Sequence, residues 1–430
     1  MLSSTAWALP HYDLAYTLSG AGGLMMPDGK VDKFIGRPIL GGQFAVEFLP
    51  TGRWHCLEQW NNASIGVGAT YLNLGNEKKL GSAVAAFAYM NQPFYNGTHF
   101  RIGARPTVGL AAITKRYSNT YEGTQKYKDH VGANWSIGSI LNAYLAMELY
   151  MDFPIKDGWE ITLSGGWHHM SNGSIMHPNA GYNLFGAELG VRYHPEGRKD
   201  KEQSTKDSLQ YRRPKRMTTK ELHEEVTKPW AVEISATGGA RQNYYADNQN
   251  GQKFYGIATL KAAAYWVPVS IFRIGGGFDA FYDGYYAAVN SEYANDNAGA
   301  SVTYFGKTFL RHSKVKNCFR MGFSIQPEFI IGRLTAGLHV GFYIIDPVKN
   351  LEPYDKSGKD PDAIPMDGEP FNRGIFYRYN FMKASTYQDG WCYMQFILKY
   401  HVIDNMFVQL GLKTHGVRAE FIDAGIGVAF

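Results

Sequence analysis

His169 and Ser171 stand two residues apart in Trp167-His168-His169-Met170-Ser171-Asn172-Gly173-Ser174, and Asn183 follows after Pro178-Asn179-Ala180-Gly181-Tyr182. In an extended chain successive side chains point to opposite faces, so residues i and i+2 share one. An imidazole beside a hydroxyl on one face can take the hydroxyl proton and make the oxygen a nucleophile. An amide or carboxylate oxygen behind the ring can orient it. That chemistry is acyl transfer, and it calls for no metal and no cofactor. A lone His-x-Ser has little weight as a motif. Its placement has more.

The elements that must hold these residues are two alternating runs. In Trp159 to Ser171 the positions Trp159, Ile161, Leu163, Gly165 and Trp167 make an apolar face, and Glu160, Thr162, Ser164 and His168 a polar one. His169 and Ser171 fall on the apolar face. In Leu184 to Tyr193, Phe185, Ala187, Leu189, Val191 and Tyr193 oppose Gly186, Glu188, Gly190 and Arg192, and Asn183 has the parity of the apolar set. A hairpin of these runs brings His169, Ser171 and Asn183 to one surface. Polar groups facing hydrocarbon lose their water, at a cost of order 2 kcal/mol or more when unpaired, so they persist where they satisfy one another. A plainer reading also fits: strand ends at the headgroup level carry polar and aromatic side chains at little cost.

The same alternation runs through the whole chain of 430 residues. In one segment Phe100, Ile102, Ala104, Pro106, Val108 and Leu110 alternate with His99, Arg101, Gly103, Arg105, Thr107 and Gly109; in another Phe319, Met321, Phe323, Ile325, Pro327 and Phe329 oppose Arg320, Gly322, Ser324, Gln326 and Glu328. Gly 48, Tyr 29, Phe 25 and Trp 9 are high counts, yet the mean hydropathy is −0.30. No run approaches the roughly 18 apolar residues of a membrane helix. Strands with one lipid face and one wet face produce this combination, because the two faces cancel in a sliding average. The fold class is therefore all-β, an antiparallel transmembrane β-barrel. One barrel of about 14–16 strands is the favoured arrangement, with an eight-stranded barrel plus a second barrel-like half as the alternative.

Loop lengths give the barrel an orientation. With the amino terminus in the periplasm, the long polar stretches Gly20 to Arg37, Lys115 to Asn134, Asp283 to Lys316 and Asp346 to Gln388 all fall outside the cell. The short connections fall inside, which is the asymmetry of outer-membrane barrels. The domain reading is 9–195 as a first half carrying the His-x-Ser site, 196–228 as a charged periplasmic connector, and 229–430 as a second half. The connector is set apart by the basic run from Arg198 to Arg216 and includes a short helical stretch, Thr219 to Thr227. Ala6-Trp7-Ala8 resembles the tail of a signal-peptide cleavage site, placing the mature start near Leu9. At the other end Ile422, Ala424, Ile426, Val428 and Phe430 share a face, which resembles the assembly signal of bacterial outer-membrane barrels. Lys413-Thr414-His415 before Ala419 to Phe430 echoes His168-His169 before Asn183 to Tyr193 and hints at duplication. The net charge of +5 is modest and scattered, so nucleic acid is not indicated as a partner. Cys56, Cys318 and Cys392 are too few and too widely spaced for a disulfide framework or a zinc site.

His169-Met170-Ser171-Asn172, then Pro178-Asn179-x-Gly181 and a closing strand, resemble the signature of PagL-type lipid A 3-O-deacylases, outer-membrane barrels that hydrolyse an ester-linked acyl chain of lipopolysaccharide. The close match covers Trp159 to Tyr193, and the second half resembles only the longer, acyloxyacyl hydrolase-like members. The resemblance implies Ser171 as nucleophile, His169 as general base, and Asn172 and Asn179 on the oxyanion side. The family's acidic third member falls on Asn183 here; Glu188, the other candidate, has lumen parity. An amide orients a histidine but does not stabilise imidazolium as a carboxylate does. The implied partners are lipid A acyl chains in the membrane of the bacterial outer envelope, and a homodimer is compatible with the sequence. The competing readings are a phospholipid esterase, a non-enzymatic barrel, either porin-like or structural, and a soluble β protein whose apolar faces meet each other.

Overall fold

Among the described residues, alternation of apolar and polar side chains becomes strand in both halves of the chain. The structure is a computed structural model that describes residues 14–27, 31–49, 55–97, 99–120, 134, 136–156, 158–176, 178–195, 217–242, 254–284, 318–345, 392–416 and 418–430. The start near Leu9, the basic run up to Arg216, and most of the long stretches after Lys115, Asp283 and Asp346 lie outside the described residues.

The first barrel is β1 (Leu14–Met25), β2 (Ile39–Phe48), β3 (Ser64–Asn73), β4 (Ser82–Asn96), β5 (Arg101–Ile113), β6 (Leu141–Lys156), β7 (Trp159–Ser171) and β8 (Tyr182–Tyr193). The second is β9 (Trp230–Gln242), β10 (Phe254–Val269), β11 (Phe272–Asp283), β12 (Phe319–Ile331), β13 (Leu334–Ile345), β14 (Cys392–Ile403), β15 (Met406–His415) and β16 (Arg418–Ala429). All pairings are antiparallel between neighbours in sequence, and each set closes on itself. Ahead of β9, helix α1 (Thr219–Glu224) starts with a capping box between Thr218 and Glu221.

Two barrels of eight strands replace the favoured single barrel; the alternative arrangement is the one the chain adopts. Closure decides the matter. β8 returns to β1, with Val191 opposite Leu18, and β16 returns to β9, with Val428 opposite Ile234. Each half thereby consumes both of its edges, and among the described residues no free strand is left to join the halves. The alternation is the same in either arrangement, so it could not discriminate. One strand end also differs from the sequence reading, which put Gly20 to Arg37 in a long loop: β1 continues through Gly20–Gly23 to Met25. Gly20 to Gly23 show no hydrophobic alternation, yet they pair in register with Gly42 to Ile39.

The faces are as the alternation requires. Leu18, Leu40, Leu110, Leu189 and Phe323 stand exposed on the outer wall, whereas Arg105, Glu188, Arg320 and Glu328 are buried inside. That inversion of a soluble protein is the signature of a barrel whose outer solvent is lipid. Among the described residues no helix is long and apolar enough to cross a membrane, so the strands are the spans.

An eight-stranded interior is narrow enough for side chains to fill. In the first barrel Arg192 pairs with Asp152 at 2.9 Å and Glu47 at 3.2 Å, Arg101 pairs with Glu160, and Arg105 donates to Asn91 at 2.7 Å between the Tyr89 and Tyr150 rings. In the second, Glu328 accepts from Arg273 at 2.7 Å, from Lys399 at 2.7 Å and from His339 at 2.8 Å, while Glu420 is shared by Arg320 and Lys413. The lumens are plugged by paired charge.

At one end of the first barrel the filling turns apolar. Val31, Phe34, Leu74, Leu80, Ile113, Ile137, Met170 and Tyr182 form a buried cluster there. Met170 and Tyr182 are cross-strand partners in β7 and β8 and both are fully buried. Their burial is worth about 1.5–3 kcal/mol for each side chain. A slip of one residue would expel them and turn His169 inward, so they hold the register on which the site depends.

Candidate functional site

With Met170 and Tyr182 fixed inward, their neighbours His169, Ser171 and Asn183 must face outward. His169 lies opposite Asn183 across the β7–β8 ladder, and Ser171 is the last residue of β7. On the same outer face Met147, Leu163, Phe185 and Leu189 are exposed. The site therefore sits on the wall that meets lipid and not in the lumen.

Three of the residues singled out in the sequence come together in a line. His169 Nδ1 is 2.8 Å from Asn183 Oδ1, and His169 Nε2 is 2.8 Å from Ser171 Oγ. An amide oxygen only accepts, so Nδ1 carries the ring proton and donates it to Asn183. Nε2 is then the free lone pair, and the Ser171 hydroxyl donates to it. Trp167 stacks on the imidazole at 5.5 Å with 17° between the planes, limiting its rotation. Ser171 is itself buried, and His169 and Asn183 are half-buried. The arrangement can move a proton from hydroxyl to ring and hold the charged ring by one hydrogen bond.

Gly181 closes the site from below. Its φ is +80°, and a Cβ placed there would come within 2.7 Å of His169 Cε1 and 3.2 Å of Ser171 Cβ. Only glycine combines that backbone conformation with the space the ring occupies.

The other expected members are placed differently. Asn172 is buried, and its side-chain Nδ2 donates to Ser139 Oγ at 2.8 Å. Asn179 is half-buried in the segment 173–179, which groups with the second compact unit. Glu188 points into the lumen, where Gln43 Nε2 donates to it at 2.7 Å, so it takes no part in orienting His169. His168 is lumenal too, bonded to the Tyr144 hydroxyl at 2.8 Å. In the second barrel His415 is buried beside Tyr343, 2.9 Å from its hydroxyl. The echo noted in the sequence thus matches the lumenal His168, not the outward His169. Among the described residues no group of His, Cys, Asp or Glu is set to hold a metal ion.

Sequence reasoning passed over Ser139, Ser136 and Asn142. They precede β6 or begin it, carry no motif, and gain meaning only from what lies against them. Trp167 and Gly181 stood in the quoted motifs without a role.

Comparison with known proteins bears on both halves. The family model for lipid A 3-O-deacylase (PagL) matches residues 43–192, a range that contains His169, Ser171, Asn172, Asn179 and Asn183. The model for the acyloxyacyl hydrolase C-terminal domain matches residues 230–358 and 371–430. No curated protein matches the sequence. Among solved structures, the chain is similar to neisserial surface protein A at 9% identity, over 42% of this chain and 97% of that one, with a TM-score of 0.28. It is similar to the outer membrane enzyme PagL at 14% identity, over 41% and 98%, with a TM-score of 0.25. A mutant of the Rh. blastica porin aligns at 11% identity over 97% and 100%, with a TM-score of 0.17. Lined up with the two barrels, the family models fall one on each. The chain belongs to the PagL-type lipid A 3-O-deacylase family of bacterial outer-membrane barrels, in a long form whose second half is the acyloxyacyl hydrolase C-terminal domain.

Proposed function

We propose that the protein is a serine esterase of the outer membrane that removes one ester-linked acyl chain from lipid A. The observation that supports this most is the line Ser171 Oγ, His169 Nε2, His169 Nδ1, Asn183 Oδ1, with both hydrogen bonds at 2.8 Å on the lipid-facing wall. A site on that wall suits an acyl chain that never leaves the bilayer.

In the proposed reaction His169 Nε2 takes the Ser171 proton as Oγ attacks the ester carbonyl carbon. The charge on the carbonyl oxygen is met by donors on the Asn172 and Asn179 side, an effect worth about 10²–10³ in rate in comparable sites. Asn172 is held beside the nucleophile by its hydrogen bond to Ser139. The proton on His169 passes to the departing sugar hydroxyl, leaving the acyl group on Ser171. Water, deprotonated by His169, then attacks the acyl-enzyme, and the fatty acid leaves as Ser171 recovers its proton. Asn183 keeps the ring in the one tautomer that serves both steps.

On the same reading 9–195 is the deacylase half, 196–228 the periplasmic connector and 229–430 the supporting half. A porin role finds no support in lumens filled by ion pairs. The test is mass spectrometry of lipid A from cells expressing the wild type or Ser171→Ala. Loss of one ester-linked acyl chain with the wild type alone is expected. Unchanged lipid A from folded wild-type protein refutes the substrate, and lysophospholipid in the same extract redirects it to phospholipid. Chemical cross-linking of the same membranes reads whether two copies pair.

A further inference from the structure

We propose that Ser139 is a positioning residue for this acyl-transfer site, holding the chain next to Ser171 through a directed relay of hydrogen bonds. The inference rests on the reading of Ser171 as nucleophile. Asn172, the residue after Ser171, donates from Nδ2 to Ser139 Oγ at 2.8 Å; Ser139 Oγ donates to Asn142 Oδ1 at 2.9 Å; and Asn142 Nδ2 donates to the carbonyls of Ser139 and Ile140, each at 3.1 Å. A hydroxyl has one proton. With that proton given to Asn142, a lone pair of Ser139 must face Asn172, so the relay runs in one direction and the Asn172 amide is held against flipping. Asn172, Ser139 and Asn142 are all buried, so none has water to fall back on.

The segment before β6 holds the other flank as well. The Gly181 N–H donates to the Ser136 carbonyl at 2.9 Å, the Ser136 N–H donates to Asn134 Oδ1 at 3.1 Å, and Asn134 Nδ2 donates to the Tyr182 hydroxyl. Gly181 is the residue whose missing side chain makes room for the His169 ring. One short stretch, 134–142, therefore grips the residue beside the nucleophile and the residue beside the base. Without the Ser139 hydroxyl the Asn172 donor loses this buried acceptor, and the hold on the peptide after Ser171 is weakened. Oγ then spends less time within reach of His169 Nε2.

The test uses the full chain in detergent micelles with lipid A as substrate. The variants are Ser139→Ala, Ser139→Thr, Asn172→Ala, their Ser139→Ala/Asn172→Ala double, and Ser171→Ala. The readouts are kcat, KM, the rate of Ser171 modification by a fluorophosphonate, and heat-modifiable migration as the check of folding. Ser139→Ala is expected to lower kcat and the modification rate about ten-fold, the cost of one buried donor left unpaired, with KM little changed. Ser139→Thr, which keeps the hydroxyl, is expected to regain most of the loss. The double variant should be no slower than Asn172→Ala, because Ser139 acts only through Asn172. Wild-type kcat in folded Ser139→Ala overturns the proposal, and so do losses that multiply in the double variant. If Ser139→Ala does not fold, Ser139→Cys, close in size and weaker as an acceptor, carries the same expectation, and wild-type turnover in it overturns the proposal equally. Wild-type protein that neither cleaves lipid A nor reacts with the fluorophosphonate sinks the esterase reading and this inference together. An active wild type matched by Ser139→Ala removes this inference alone.

Discussion

Replacing Asn183 by alanine removes the acceptor 2.8 Å from His169 Nδ1 and leaves the rest of the line in place. Before the reaction that hydrogen bond joins two neutral groups and is worth about 0.5–1.5 kcal/mol; in the transition state the ring is imidazolium, and a bond to a charged group is worth about 1.5–3 kcal/mol. The gain realised only in the transition state is about 1–2 kcal/mol, which converts to roughly 5–30-fold in kcat. Loss of the tautomer preference adds to this, since Nε2 then carries the proton part of the time and cannot accept from Ser171. Asn183→Ala should therefore run at least about ten-fold slower than wild type, with KM little changed. Asn183→Asp tests the same step from the other side. A charge-assisted bond is roughly twice as strong as a neutral one, so the carboxylate should raise kcat about ten-fold at a half-buried position where its own desolvation is partial. The assay is the initial rate of fatty-acid release from lipid A micelles by purified protein, with Ser171→Ala as the zero. Alanine at wild-type rate in folded protein, with aspartate giving no gain, would refute the assignment of Asn183 as the orienting group.

Other expectations follow from the same geometry. Gly181→Ala puts a Cβ 2.7 Å from His169 Cε1 and 3.1 Å from the Met170 carbonyl at a φ of +80°, so it displaces the His169 ring and should cost more than ten-fold in fatty-acid release by the fraction that shows the folded heat-modifiable band. Glu420→Ala leaves Arg320 and Lys413 buried without their shared partner; about 3–5 kcal/mol of stability should be lost, read as a lower temperature for the heat-modifiable shift. With both lumens plugged, the purified protein in planar bilayers should give no steady ion conductance, and reproducible channel steps would contradict the packing described. Leu189→Arg, on the exposed lipid face of β8, should destabilise the inserted barrel by about 2–4 kcal/mol, measured by reversible unfolding in lipid vesicles.

The period of two carries much of what can be read from the residues. Trp159 to Ser171 and Leu184 to Tyr193 alternate so cleanly that the shared face of His169, Ser171 and Asn183 is legible in the sequence, and so is the lumenal place of Glu188. Parity is a local property of an extended chain, and it survives whatever the strands later pair with. The same holds for the all-β class and for most of the strands in each half. Where the alternation lapses, as in Gly20 to Gly23, the strand escapes notice, because glycine offers no face to read.

Closure, by contrast, is not written in any one strand. Whether Val191 ends beside Leu18 depends on two edges far apart in sequence and on side chains that fill the space between, here Arg105, Glu188 and Arg192. A pattern common to barrels of every size has no access to that. The relay through Ser139 and Asn142 is of the same kind: each is an ordinary polar residue in its own stretch, and only folding sets Ser139 Oγ 2.8 Å from Asn172. His415 makes the same point: likeness of sequence pairs it with His168-His169 together, and only packing against Tyr343 shows that it stands where His168 does. Which residues could meet lipid and which water can be read residue by residue, because alternation along each strand decides it. How many barrels form and which groups lie against Ser171 and Asn172 are set by contacts between segments that no local pattern connects, so they emerge only on folding.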